Sequence, residues 1–195
     1  MASPAIDRTV NPRPAIAPDR LAHIVFRTTD KRSLLDWYCK VLNAHMVFEN
    51  NFIGFLTYDE EHHRIAAIQM PDLKRDDKAI GLHHIAFTYT TLDDLFSNYE
   101  RLRDIGIPPS HCINHGPTTS MYYKDPDGNF VELQVDNFPT SAEADAWINS
   151  PEFAENPIGV DFDPEELLAK FRSGAPEAEL KKRPNIGPRG LPNRQ

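Results

Sequence analysis

The stretch that decides the fold is GLHHIAF, residues 81–87, because an earlier run, RLAHIVF at residues 20–26, has the same pattern. Both runs are short, apolar and typical of strands. Successive side chains of a strand point to opposite faces, so His83 and His84 are expected on different faces, one of them buried and in need of a partner. Superposing the two runs places His23 on His84. A histidine therefore recurs at the same position of two similar strands.

The two runs each open a segment with the same order of elements. After each strand comes a helical segment, and then three short strand candidates separated by polar breaks. Apolar residues at helical spacing identify the helical segments: Leu34, Leu35, Tyr38 and Leu42 in the first, and Leu92, Leu95, Tyr99 and Leu102 in the second. The sequence thus contains a duplicated βαβββ unit, at about residues 20–71 and 80–136.

The duplication predicts an α+β fold. We expect the two βαβββ modules to form one curved mixed sheet around a pseudo-twofold axis, with His23 and His84 facing each other across a single cavity. Residues 1–19, which are rich in proline, are expected to form a flexible N-terminal arm. Residues 137–195 are expected to form C-terminal helices and a tail, with Asp163 capping one of the helices.

The composition restricts the classes of function. A formal net charge of −8 argues against a nucleic-acid partner, because phosphate binding needs clustered Lys and Arg. No apolar stretch approaches the ~20 residues of a membrane span. The two cysteines make no disulfide framework and the N-terminus lacks a secretory signal, so a reducing cytoplasm is the simplest compartment. Extended arms on an acidic chain favour a homo-oligomer.

Three residues with metal-binding side chains lie in apolar strands at related positions. His23 and His84 are in the first strand of each module, and Glu132 is in the last strand, NFVELQV. One inward histidine is more often a core residue than a ligand. Burying a carboxylate costs several kcal/mol, however, and a divalent cation between the three side chains would remove that cost. Two imidazoles and one carboxylate form the facial triad of non-haem Fe(II) oxygenases.

The corresponding position of the first module carries no ligand. Superposing RIAAIQ on NFVELQ places Ala67 on Glu132. Since alanine cannot bind a metal, the fourth related position would be left open for a substrate and O₂.

The runs LAHIVF, GLHHIAF and YYKDPDGNFVEL resemble the vicinal oxygen chelate superfamily over about residues 20–136. Within it, the chain is similar to the type I extradiol catechol dioxygenases, the 2,3-dihydroxybiphenyl dioxygenase branch. This resemblance implies a metal, usually Fe(II) and occasionally Mn(II), held by His23, His84 and Glu132. It also implies that His84 faces the metal, while His83 faces the other way and packs or supports its neighbour.

The same resemblance implies three catalytic residues. His63, in DEEHHRIAAIQMP at residues 59–71, matches the family's acid/base beside bound O₂. Two alternatives stay open: His62 is the acid/base, or His62 and His63 are only a solvated pair in a turn. Tyr122 matches a tyrosine that hydrogen-bonds the catechol. His115 resembles a supporting histidine, but its spacing to Tyr122 is two residues shorter than in the common form and the Asp that usually follows is missing. A structural role in a tight turn is therefore open for His115.

These residues predict an Fe(II)-dependent dioxygenase that opens a catechol-type ring, such as 2,3-dihydroxybiphenyl, beside its hydroxyls, with a small aromatic diol and O₂ as substrates. Many ring-cleaving members carry four modules, whereas this chain has a single pair. The alternatives are another metal-dependent enzyme of the same fold, a glyoxalase-type isomerase or thiol transferase, or a non-catalytic small-molecule-binding module. Lyases of that type need a second carboxylate where Ala67 lies.

Overall fold

The computed structural model describes residues 16–190, and most of the predicted N-terminal arm lies outside that range. The first module runs β1 (Ile24–Thr28), α1 (Lys31–Val41), β2 (His45–Glu49), β3 (Ile53–Thr57) and β4 (Ile65–Gln69). Asp30 starts α1, because its carboxylate accepts the backbone N–H of Ser33 and so replaces a partner that the first helical turn lacks. Strands β1 and β4 pair in parallel, and the sheet order is β1-β4-β3-β2.

The second module repeats this plan. It runs β5 (His84–Tyr89), α2 (Leu92–Asp104), β6 (His111–Asn114), β7 (Thr118–Lys124) and β8 (Phe130–Asp136). Thr91 caps α2 through the N–H of Asp94. Strands β5 and β8 pair in parallel, as β1 and β4 do. The duplicated βαβββ unit and the α+β class are confirmed.

The strands form two sheets rather than the one continuous sheet that the duplication predicted. The first sheet has four strands, and the second has five in the order β5-β8-β7-β6-β9, where β9 is Val160–Asp161. The strands of each module form backbone hydrogen bonds among themselves, and within residues 16–190 no strand pairing joins the two sheets. The repeat relates the modules by symmetry, which does not by itself require hydrogen bonds between them.

The two modules pack through their helices and share one apolar core. The Tyr38 hydroxyl of α1 donates a hydrogen bond to the Asp125 carboxylate of the second module at 3.2 Å. Asn98 of α2 donates to the Val41 carbonyl at 3.2 Å. The core includes side chains from one face of both sheets, Phe26, Leu56, Ile65, Met121, Val131 and Leu133 among them. The opposite face of each sheet is therefore turned away from the contact between the modules.

The C-terminal region adds four helices and a strand. These are α3 (Ser141–Ile148), α4 (Pro151–Glu155), β9, α5 (Pro164–Arg172) and α6 (Glu177–Lys181). Asp163 caps α5 through the N–H groups of Glu165 and Glu166, as the sequence predicts. Strand β9 was not predicted, and it extends the second sheet by pairing with β6. Among the helices of residues 16–190, none combines the length and the apolar character that crossing a bilayer requires.

Candidate active site

Strand register collects polar side chains on the outer face of the second sheet, the face away from the core. Glu132 of β8 pairs with Ala86 of β5 on one side and with Tyr122 of β7 on the other. Tyr122 in turn pairs with His111 of β6. Paired residues share a face, and His84 joins that face because it lies two residues before Ala86. The second-module cluster consists of these polar residues together with His115.

The carboxylate of Glu132 lies at the centre of this cluster. His84 Nε2 is 2.9 Å from Glu132 Oε2, and His115 Nε2 is 3.9 Å from Oε1. His115 Nε2 is also 2.9 Å from the Tyr122 hydroxyl. Glu132 is only 4% exposed, so imidazoles and a phenol replace water as the carboxylate's neighbours.

The environment of the cluster shifts the pKa values of Tyr122 and His115. Burial raises the pKa of Tyr122, and the negative charge of Glu132 raises it further. Burial also lowers the pKa of His115, against the opposing effects of the Ile158 carbonyl and Glu132. At neutral pH the Tyr122 proton is therefore held on its oxygen and His115 is a neutral imidazole.

Sequence reasoning assigned no role to His111. Its ring stacks on that of Tyr122 with centroids 4.4 Å apart and planes 3° apart. Burial lowers the pKa of His111. The alternation of β6 alone could not reveal this contact, because it depends on the register between β6 and β7.

A separate first-module cluster is formed by His23, His62 and His63 against Phe55. The rings of His23 and His63 stack at 4.3 Å, and those of Phe55 and His63 at 4.5 Å. The Nδ1 atoms of His62 and His63 are 2.5 Å apart. Burial is the main cause that lowers the pKa of His63, and the neighbouring His23 and His62 lower it further. The neutral imidazole form of His63 is thus favoured.

The predicted metal ligands are not all brought together within one chain. His84 and Glu132 are in contact, whereas His23 lies in the first-module cluster. Across residues 16–190, no three His, Cys, Asp or Glu side chains are grouped so that they could hold a metal ion. The expected meeting of His23 and His84 across one cavity is therefore wrong for the single chain. The reason is that the modules pack through helices and core, which turns the two histidine-bearing faces outward.

The open position of the first module is Ala66, not Ala67. Val25, two residues after His23, pairs with Ala66, as Ala86, two residues after His84, pairs with Glu132. Ala67 instead lies in the core cluster and is fully buried. A shift of one residue changes the face of a strand. Since both residues are alanine, the position equivalent to Glu132 still carries no ligand.

His83 does not point into the opposite, buried face. Strand β5 begins at His84, so the alternation of the strand does not extend to His83. His83 is exposed, its ring lies over Phe130 at 5.8 Å, and its Nδ1 is 2.8 Å from Nδ1 of His84. His83 therefore contacts His84 from the rim of the cluster.

The pair formed by His84 and Glu132 fits two adjacent ligands of one metal ion. Ligand atoms that each lie about 2.0–2.2 Å from an ion, at right angles to one another, are about 3 Å apart. Nε2 and Oε2 are 2.9 Å apart in the structure, a distance that a direct hydrogen bond between them also gives. A buried carboxylate beside an imidazole is also the donor set expected for a first-row transition metal.

Comparison with known proteins places the chain in one family. The family model of the Glyoxalase/Bleomycin resistance protein/Dioxygenase superfamily matches residues 20–133, and the chain belongs to this superfamily. The chain is 49% identical over 162 residues to biphenyl-2,3-diol 1,2-dioxygenase 2 of Rhodococcus globerulus, which covers 82% of this chain and 85% of the relative. It is 46% identical over 164 residues to biphenyl-2,3-diol 1,2-dioxygenase 3 of the same organism, with 83% and 86% covered.

Solved structures confirm the fold at lower identity. A lactoylglutathione lyase of Agrobacterium tumefaciens is 19% identical, with a TM-score of 0.50 over 60% of this chain and 94% of that chain. The fosfomycin resistance protein FosX of Listeria monocytogenes is 19% identical, with a TM-score of 0.50 over 66% and 99%. These likenesses show the architecture alone.

Proposed function

We propose that the protein is an Fe(II)-dependent extradiol dioxygenase that opens the ring of a biphenyl-2,3-diol-like catechol. The observation that carries the proposal is the contact between His84 and Glu132 on the outer face of the second sheet. The chain shares 49% identity with a biphenyl-2,3-diol 1,2-dioxygenase over most of both chains. A glyoxalase-type isomerase fits less well, because Ala66 stands where a second carboxylate would be needed.

The metal would be held by His23, His84 and Glu132, with Mn(II) as the alternative to Fe(II). A bound metal ion would supply the path by which electron density passes from the diol to O₂. The side chains of the cluster would do the rest. Tyr122 would orient the diol through its hydroxyl, and His115 would hold Tyr122 in place from behind.

His63 would move the protons of the reaction. A neutral imidazole can take a proton from the diol and return it later, and the lowered pKa of His63 favours that form at neutral pH. His63 stacks on His23, so a site that includes His23 also includes His63. The cytoplasm is the proposed compartment, which agrees with the free thiols of Cys39 and Cys112.

The active protein would be a homo-oligomer in which a second copy completes each site. The first-module cluster of one copy would meet the second-module cluster of the other. Large apolar side chains around both outer faces are exposed in the single chain: Leu21 at 72%, Val25 at 47%, Ile80 at 105% and Leu82 at 73%. All four lie within four positions of His23 or His84, and exposed apolar surface of this kind is what another protein covers. Reciprocal exchange between two copies would complete two sites with one symmetric contact.

Mixing two inactive variants tests the function and the assembly together. His23→Ala and Glu132→Ala would each abolish O₂ uptake with 2,3-dihydroxybiphenyl in protein loaded anaerobically with Fe(II). After the two variants are mixed and their subunits exchanged, a mixed dimer would hold one intact site out of two. Random exchange should therefore restore about a quarter of the wild-type uptake and of the tightly bound iron.

A matched control uses two defects in the same cluster. His23→Ala mixed with His63→Ala leaves a defect in every site and should restore nothing. Circular dichroism of each variant checks that the fold is intact. Wild-type protein that consumes no O₂ across a panel of catechols would refute the proposed activity. An active wild type whose variants never complement would refute the shared site and leave the activity standing.

A further inference from the structure

The C-terminal region reaches back to His115 from outside the part of the chain that the family model matches. That match ends at residue 133. Strand β9 pairs with β6 and places the Ile158 carbonyl oxygen 2.5 Å from His115 Nδ1. The contact joins residues 43 positions apart in the sequence.

This contact decides which nitrogen of His115 carries the proton. A carbonyl oxygen only accepts hydrogen bonds, so Nδ1 must donate and the neutral ring leaves a lone pair on Nε2. Nε2 is 2.9 Å from the Tyr122 hydroxyl and can then accept its hydrogen, for which the Glu132 carboxylate is the other acceptor. The lone pairs of the Tyr122 oxygen are thereby left to accept a hydrogen bond from a diol.

The Ile158 carbonyl is itself held by a buried turn. Asn156 is 4% exposed, and its side-chain oxygen accepts from the N–H groups of Ile158 at 3.2 Å and Gly159 at 2.7 Å. Gly159 has φ +111°, and a Cβ there would lie 2.4 Å from the Asn114 carbonyl oxygen and 2.8 Å from the Cα of His115. Only glycine allows the turn to approach the backbone so closely.

Arg183 ties the turn to the histidine. Its guanidinium donates to the backbone carbonyls of His115 at 3.2 Å, Asn156 at 2.6 Å and Glu152 at 3.0 Å. It also lies over the ring of Trp147, 5.1 Å from the centroid. One side chain thus joins the end of β6, the buried turn and helix α4, which the fork of donors on a guanidinium suits.

We propose that residues 156–183 form a clamp that fixes the tautomer and orientation of His115, with Arg183 as its positioning residue. The clamp sets the direction in which Tyr122 presents its oxygen. Its effect on the reaction rests on the proposed dioxygenase function, whereas its effect on His115 does not. The two are therefore tested separately.

The first experiment reads the tautomer directly. Long-range ¹H–¹⁵N spectra of the full-length, metal-free protein distinguish a ring protonated at Nδ1 from one protonated at Nε2, and His115→Gln identifies the signal. We expect the Nδ1–H form in the wild type and its loss or mixing in Gly159→Ala. The control is Gly174→Ala, which has a similar φ of +89° but nothing within 4 Å of its Cβ. Gly174→Ala should keep the wild-type pattern.

The second experiment separates positioning from simple support of the fold. In Arg183→Ala we expect kcat for 2,3-dihydroxybiphenyl to fall about tenfold with KM within about twofold, and the Nδ1–H signal to be lost. Arg183→Lys should recover part of both, because one ammonium can reach only some of the three carbonyls. An unchanged His115 pattern in both Gly159→Ala and Arg183→Ala would overturn the clamp. A wild type that shows the Nδ1–H signal but no catechol-dependent O₂ uptake would overturn the function and leave the clamp supported.

Discussion

The hydroxyl of Tyr38 makes a hydrogen bond between the two modules, and its removal predicts a measurable loss of stability. Tyr38 is fully buried, and its hydroxyl donates to Asp125 Oδ2 at 3.2 Å. Asp125 also accepts from the backbone N–H and the side-chain amide of Asn129, each at 2.8 Å. A hydrogen bond to a charged group contributes about 1.5–3 kcal/mol. Because the bond is long and Asp125 keeps two others, we expect Tyr38→Phe to lower the free energy of unfolding by about 1.5 kcal/mol.

A second buried tyrosine provides the matched control. Tyr123 is 1% exposed, and its hydroxyl has the Met121 sulfur at 4.0 Å as a weak acceptor. Tyr123→Phe removes the same oxygen without breaking a strong bond and should cost less than about 0.5 kcal/mol. Urea unfolding followed by circular dichroism measures both variants, with equal slopes expected. Equal losses in the two variants would refute the role of the bond between the modules.

The loss in Tyr38→Phe should also depend on pH. Burial, the largest effect, raises the pKa of Asp125, and the bond from Tyr38 acts against it. An acid whose pKa is raised by folding binds its proton more tightly in the folded state. The stability that this proton binding contributes is therefore lost as pH rises from the unfolded pKa through the folded pKa. The Tyr38 bond is stronger to the charged carboxylate than to the neutral acid. We therefore expect the cost of Tyr38→Phe to shrink as pH falls through the raised folded pKa of Asp125.

Three further predictions concern a salt bridge, the acid/base and the metal. A hydrogen bond from the Lys31 ammonium holds the pKa of Glu49 below its usual value. Because Glu49 is exposed and water screens the pair, Glu49→Gln should cost less than about 1 kcal/mol at pH 7. Urea unfolding should show this difference vanish as pH falls through the folded pKa of Glu49. His63→Phe keeps a stacked ring but removes the proton carrier, so kcat should fall about 10²–10⁴-fold in steady-state assays. The kcat of His62→Phe should stay within about twofold of the wild type, and the reverse order would make His62 the acid/base. Chelator treatment should abolish O₂ uptake and added Fe(II) should restore it, and turnover that survives complete metal removal would contradict the proposal.

The sequence by itself determined the duplicated modules and their order of strands and helices. His84 and Glu132 were predicted as ligands of one metal ion, and their side chains are in contact. Asp163 was predicted to cap a helix, and it does. These features depend on the periodicity of a few neighbouring residues, which is local information.

Other features were decided only by the tertiary structure. The register between strands makes Ala66, rather than Ala67, the residue of the first module that is equivalent to Glu132. It also stacks the ring of His111 on that of Tyr122. Register depends on two strands at once, so the pattern of either strand is insufficient.

The packing of the modules is likewise non-local. Contacts such as that of Tyr38 with Asp125 turn the two outer faces apart, and so separate His23 from His84 and Glu132 within one chain. The contact of His115 with Ile158 spans 43 residues and depends on a strand, β9, that is two residues long. Such a strand is too short to show periodicity, so only the folded chain shows what holds His115 in place.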